Sequence, residues 1–148
     1  MIWFKKYSLD FVKDWMKGDN ILNYLDIHFT ELGDDYLTGT MPVDHRTIQP
    51  FGLLHGGASC VLAETLGSVA SGLVINPDNQ FSVGSQISAN HLRRAESGLV
   101  TGTARPIHIG RTKHVWDINI YKEDGKIAAK SELTCVVYDV EQRVEKKS

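Results

Sequence analysis

From Ser8 the apolar residues Leu9, Phe11, Val12, Trp15 and Met16 recur at intervals of three and four, the spacing of one face of a helix. Ser8 can cap that helix and Gly18 can stop it. The period then shortens: Leu25, Ile27 and Phe29 alternate with Asp26, His28 and Thr30, the Gly33-Asp34-Asp35 cluster turns the chain, and Leu37, Met41 and Val43 resume the alternation. This predicts a two-stranded hairpin. In the following loop, "DHRTIQPFGLL", Pro50 and Gly52 exclude regular structure. From His55 to Ile75 the chain is apolar nearly all round, with many small residues, and reads as a long buried helix. A turn at Asn76-Pro77-Asp78-Asn79 leads into four further strands, "FSVGSQISANHLRR", "LVTGTARPIHI", "TKHVWDINIYKE" and "KIAAKSELTCVVYDV". Asp124-Gly125 predicts a two-residue hairpin turn between the last two.

Long antiparallel strands need a cover for their apolar face, and the central helix can supply it. The expected class is α+β, a curved antiparallel sheet wrapped around that helix. The small residues Ala58, Ser59, Ala63, Gly67, Ala70, Ser71 and Gly72 would let the sheet approach closely. Residues 1–138 are expected to form one domain. The charged remainder, 139–148, including "EQRVEKKS", is expected to be a frayed or weakly helical tail.

Composition narrows the function classes. At 148 residues, 42% hydrophobic and 23% charged with a formal net charge of -2, the chain has the makeup of a soluble domain. Bulk charge does not suggest a nucleic-acid partner. Cys60 and Cys135 lie far apart without a Cys-x-x-Cys spacing, which fits two reduced thiols in a cytoplasm. The N-terminus interleaves Lys and Asp with aromatics, unlike a secretory signal. The apolar run from Val61 to Ile75 is short for a bilayer and contains Glu64. No membrane span is expected.

Candidate chemistry concentrates at the central helix. A helix that begins at His55-Gly56-Gly57 presents free first-turn N–H groups with the positive end of the dipole behind them, a place for an anion or developing oxyanion. Glycine there lets a ligand atom reach the amide. Glu64 is a single carboxylate within an apolar helix, and Ser68, four residues on, shares its face. Gly56 and Glu64 are separated by about 12 Å along the axis and rotated by roughly 80°. One helix does not easily bring both to one carbonyl; two copies antiparallel across a two-fold axis would.

These residues, in "MPVDHRTIQPFGLLHGGASCVLAETLGSVA", together with "ANHLRRA" and "PIHIGRTKHVW", resemble the hotdog-fold acyl-CoA thioesterases. The resemblance covers nearly the whole chain up to Tyr138 and is nearest to the 1,4-dihydroxy-2-naphthoyl-CoA hydrolase branch, beside the 4-hydroxybenzoyl-CoA and phenylacetate-pathway thioesterases. It implies that Gly56 donates its N–H to the thioester oxygen and the Gln49 amide polarises that oxygen. It further implies that His55 orients the region, Glu64 of the facing subunit is general base or nucleophile, and Ser68 positions the water or adduct. By the same resemblance Gly84, Ser85, Gln86 and Ile87, then His91, Leu92, Arg93 and Arg94, then His108, Ile109, Gly110, Arg111, Thr112 and Lys113 line the coenzyme A groove. Where many relatives have Gly-Leu-Glu-Ile-Asn, this chain has Gly84-Ser85-Gln86-Ile87-Ser88, a departure that bears on the acyl group.

The implied partners are an acyl-CoA substrate and further copies of the chain, as a homodimer with shared sites and a homotetramer. The implied setting is menaquinone biosynthesis. No cofactor is expected, because a thioester carbonyl is already electrophilic and needs only water, a base and oxyanion donors. The six histidines, His28, His45, His55, His91, His108 and His114, lack metal-ligand spacing. Two other functions remain open on this fold: a non-catalytic acyl-CoA binding or sensing module, and an enoyl-CoA hydratase.

Overall fold

The apolar run folds as one helix, and the alternating segments fold as a sheet around it. In the computed structural model, which describes residues 1–141, the order is α1 (Leu9–Trp15), α2 (Ile21–Tyr24), β1 (His28–Leu32), β2 (Leu37–Pro42), α3 (Gly56–Val74), β3 (Gln80–His91), β4 (Leu99–Ile109), β5 (Lys113–Tyr121) and β6 (Ile127–Asp139). All six strands join one antiparallel sheet in the order β1-β2-β4-β5-β6-β3. Apart from Glu141, the segment "EQRVEKKS" lies outside the described residues.

Helix α3 packs against β2 through β6, and the core sits between them. Leu62, Leu66 and Leu73 of α3 are fully buried with Trp116, Ile118 and Ile120 of β5 and Leu133 of β6. Small residues set the approach as expected at Gly67, where an added Cβ would lie 2.6 Å from Leu133. Gly72 instead receives the Trp15 ring of α1, where an added Cβ would lie 2.6 Å from its edge, so this residue faces the N-terminal helix. One polar contact crosses the core: Trp116 Nε1 donates to Ser71 Oγ at 2.7 Å. It satisfies two groups that would otherwise be costly to bury.

Two sequence expectations change. The first hairpin strand begins at His28, not Leu25, because Asn20 caps a short helix, its Oδ1 accepting from Leu22 N–H at 3.1 Å and Asn23 N–H at 3.2 Å. Leu25 and Ile27 are buried beside that helix, and Asp26 between them takes φ 58°, a left-handed geometry that breaks an extended run. The β5–β6 connection is a three-residue loop: Lys122 N–H donates to Lys126 C=O at 2.9 Å around Glu123-Asp124-Gly125, with Gly125 at φ 78°. Helix α3, at 19 residues, is long and apolar enough to cross a bilayer by length and composition alone. Its packing inside the sheet accounts for its apolar surface.

The sheet ends differ. β1 is five residues long, whereas β3 offers a twelve-residue edge on which Val83, Gly84, Ser85 and Gln86 are exposed.

Candidate active site

The loop entering α3 is rigid by its own bonds. Arg46 grips the Asp44 carboxylate through Nη2 at 2.6 Å and Nε at 3.2 Å, and donates its backbone N–H at 2.9 Å. The guanidinium and that N–H hold the Asp44 carboxyl down at about 2. Thr47 Oγ1 donates to Pro42 C=O at 2.7 Å, and Gln49 N–H to Leu53 C=O at 2.8 Å. The Gln49 side-chain Oε1 accepts the Phe51 N–H, which leaves the amide NH₂ free to donate elsewhere.

His55 is the N-cap of α3, its Nδ1 accepting the Gly57 N–H at 2.7 Å. That bond puts the ring proton of the neutral imidazole on Nε2. Gly56 N–H is a first-turn donor without an intrahelical acceptor, and no acceptor among the described residues takes it. The His91 ring lies over Gly56, where an added Cβ would sit 2.8 Å from Nε2. Gln49, Gly56, His91, Leu92, Arg93 and Arg94 line one cavity of about 360 Å³. Arg93 Nη1 donates to Ile127 C=O at 3.0 Å, and Arg94 lies 3.6 Å from Glu96 at the surface.

Glu64 and Ser68 line a different cavity, of about 550 Å³. Both residues are half-buried, and Ser68 Oγ donates to Glu64 Oε1 at 3.4 Å. The walls are Gly57, Cys60, Val61, Thr65 and Val69 from α3, Met16, Ile21 and Leu22 from the α1–α2 segment, and Ile87 from β3, so the cavity reaches the first turn of the helix. Helical spacing from Glu64 could have found Cys60 and Val61, four and three residues back on the same face. Nothing local could have found Met16, Ile21 or Leu22. Burial pushes both the Cys60 and Cys135 thiols up, with the Glu64 charge adding to it.

The proposed groove segments divide in the same way. Ala129 faces His91 across β3–β6, while Cys135 lies between Gly84 and His114, and Val136 between Val83 and Lys113. Seven positions of β6 separate Ala129 from Val136, roughly 23 Å at strand rise. His91, Leu92, Arg93 and Arg94 therefore stand at the Gln49–Gly56 end, and Gly84, Ser85, Gln86, His108, Ile109, Gly110, Arg111, Thr112 and Lys113 at the other. A single chain does not bring them together. Ile87 turns inward to the Glu64 cavity and is a wall there.

The histidines are dispersed. His28 contacts Asp26 at 2.7 Å, His45 is 4.0 Å from Asp44, and His114 is buried edge-on to Trp116. Burial holds His114 below its ordinary value, opposed by a hydrogen bond with the Gly110 backbone. Among the described residues no three His, Cys, Asp or Glu side chains converge on a metal position.

Residues 51–129 match the family model of the thioesterase superfamily. The chain belongs to that superfamily. It is 48% identical to the 1,4-dihydroxy-2-naphthoyl-CoA hydrolase of Escherichia coli over 93% of this chain and 99% of that one. It is 47% identical to a proofreading thioesterase of Cronobacter turicensis over 93% and 98% respectively. A mutant thioesterase of Pseudomonas aeruginosa superposes with a TM-score of 0.90 at 47% identity, covering 94% of this chain and 99% of that one. The fold is thus the hotdog fold, and the chain is an acyl-CoA thioester hydrolase.

Proposed function

We propose that this thioesterase cleaves aromatic or otherwise bulky acyl-CoA esters at an active site completed by a second copy of the chain. The observation that carries the reading is the division of α3: Gln49 and Gly56 line one cavity, and Glu64 and Ser68 another. A reacting carbonyl needs its oxyanion donors and its base around one carbon. Two chains pairing antiparallel along the open β3 edge would set the Gln49–Gly56 end of each against the Glu64 end of the other. The same pairing would join His91, Leu92, Arg93 and Arg94 of one chain to Ser85, Gln86 and the His108–Lys113 turn of its mate, as a single groove for coenzyme A.

In this reading Gly56 N–H and the Gln49 amide bind the thioester oxygen as it becomes negative, with His55 fixing the helix start. Glu64 activates water or attacks directly, and Ser68 holds the water or adduct beside it. No cofactor is called for. The apolar cavity beside Glu64 has the volume of a small-molecule pocket, and its walls suit an acyl group. An aromatic acid such as 1,4-dihydroxy-2-naphthoate fits the chemistry of those walls, and the Escherichia coli relative supports it. The Cronobacter relative, at 47% identity against 48% but named for proofreading, argues for a panel of acyl groups over one candidate.

Glu64→Gln should lower turnover by about two to four decades, read as free-thiol release from aromatic and aliphatic acyl-CoAs. Gln49→Ala and Glu64→Gln chains, each feeble alone, should regain about a quarter of wild-type activity when mixed equally, unfolded and refolded, because about half the dimers are then mixed and each mixed dimer holds one intact site of two. Failure to regain activity, with mixed dimers present, would place the whole site within one chain.

A further inference from the structure

We infer that Gly84 is a positioning residue for the Glu64 carboxylate: the absence of a side chain on this strand residue keeps open the space into which the carboxylate points. This rests on Glu64 being the reactive group. A Cβ added to Gly84 would lie 1.9 Å from Glu64 Oε1, 2.9 Å from Cδ and 3.3 Å from Oε2. Ser68 Oγ donates to the same Oε1 at 3.4 Å. One oxygen is thus flanked by a hydroxyl of its own helix and by a bare strand position.

Strand geometry explains how Gly84 comes to face the helix. Gly84 pairs with Cys135 and Gln86 with Thr134, so Ser85 is an extra residue, a bulge, whose hydroxyl donates to Thr134 C=O at 3.2 Å. Cys135 and Leu133 are both buried. Their partners Gly84 and Ile87 share that inner face although they are three residues apart, which simple alternation would forbid. The bulge therefore presents a space for the carboxylate and an apolar wall beside it.

The steric conflict is selective. It falls on the far end of a flexible side chain, and Gly84 has no left-handed backbone angle to forbid alanine. Alanine at 84 should leave the sheet in place and swing the carboxylate aside.

The experiment compares Gly84→Ala in the wild-type and Glu64→Gln backgrounds. Gly84→Ala should keep its thermal midpoint, lose roughly 100-fold in kcat from misplacement of the reacting group, and hold KM. In the Glu64→Gln background the added alanine should change the residual rate by less than about twofold, since the group it acts through is gone. A crystal structure of Gly84→Ala should show the carboxylate away from Ser68 with β3 unmoved. Unchanged kcat, equal losses in both backgrounds, or a raised KM with kcat preserved would overturn the inference; the last would make Gly84 a coenzyme A contact. Full turnover by Glu64→Gln would instead refute the role of Glu64, and the crystal structure would then decide alone whether Gly84 sets the carboxylate's position.

Discussion

The two cavities along α3 are built on one helix and are chemically unlike. The one at its start is edged by Gln49, His91, Arg93 and Arg94; the one at its middle has apolar walls around a single carboxylate. The cause lies in helix geometry. First-turn N–H groups lack internal partners and can bind an anion, whereas mid-helix amides are spent on the helix and only side chains can react. The proposed substrate, with a polyanionic handle and an apolar acyl end, would use one region for each part. In one chain those regions are separate.

The largest effect that would sharpen this contrast is on the charged end. Arg93→Ala with Arg94→Ala should raise KM for acyl-CoA by one to two decades, roughly the loss of a charge-assisted contact, and the rise should shrink with added salt. The same change should leave KM for an acyl N-acetylcysteamine ester, which has no phosphate, unaltered. Equal losses on both substrates would erase the distinction between the cavities. A smaller effect should appear at the apolar end. Ile87→Ala should lower kcat/KM about tenfold for bulky aromatic esters and less for acetyl-CoA, with salt dependence unchanged; a uniform drop across acyl groups would remove Ile87 from the acyl wall.

The smallest effect concerns the loop that carries Gln49. The Asp44 carboxyl falls from its ordinary 3.8 to about 2 through Arg46, so the stabilisation it provides is complete above pH ~4 and is lost as pH falls through about 2. Thermal midpoints of wild type and Asp44→Asn should differ at pH 5 and converge near pH 2. A constant difference across that window would show that Arg46 does not hold the loop through this charge.

Much of this arrangement was legible beforehand. The start of α3 at Gly56, the span of β4 at Leu99–Ile109 and the shared face of Glu64 and Ser68 follow from capping, alternation and a spacing of four, all local rules. The short helix after Asn20 escaped because Leu25, Ile27 and Phe29 keep a strand-like alternation although only Phe29 enters a strand. The cavity walls Met16, Ile21 and Leu22 escaped for a different reason. Their partners lie 35 residues or more along the chain, beyond any periodic pattern.

By itself the sequence determined the type of most segments, though it missed the short helix after Asn20: it marked the long buried helix, the later strands, and one carboxylate in an apolar face. These are decided by neighbours within a turn or two, through backbone bonding and side-chain period. Only the tertiary structure decided which segments meet. It set Gln49 and Gly56 apart from Glu64, and through one extra strand residue it turned Gly84 toward that carboxylate. Such meetings depend on register and packing across the sheet, where a shift of one residue reverses the face that every side chain presents.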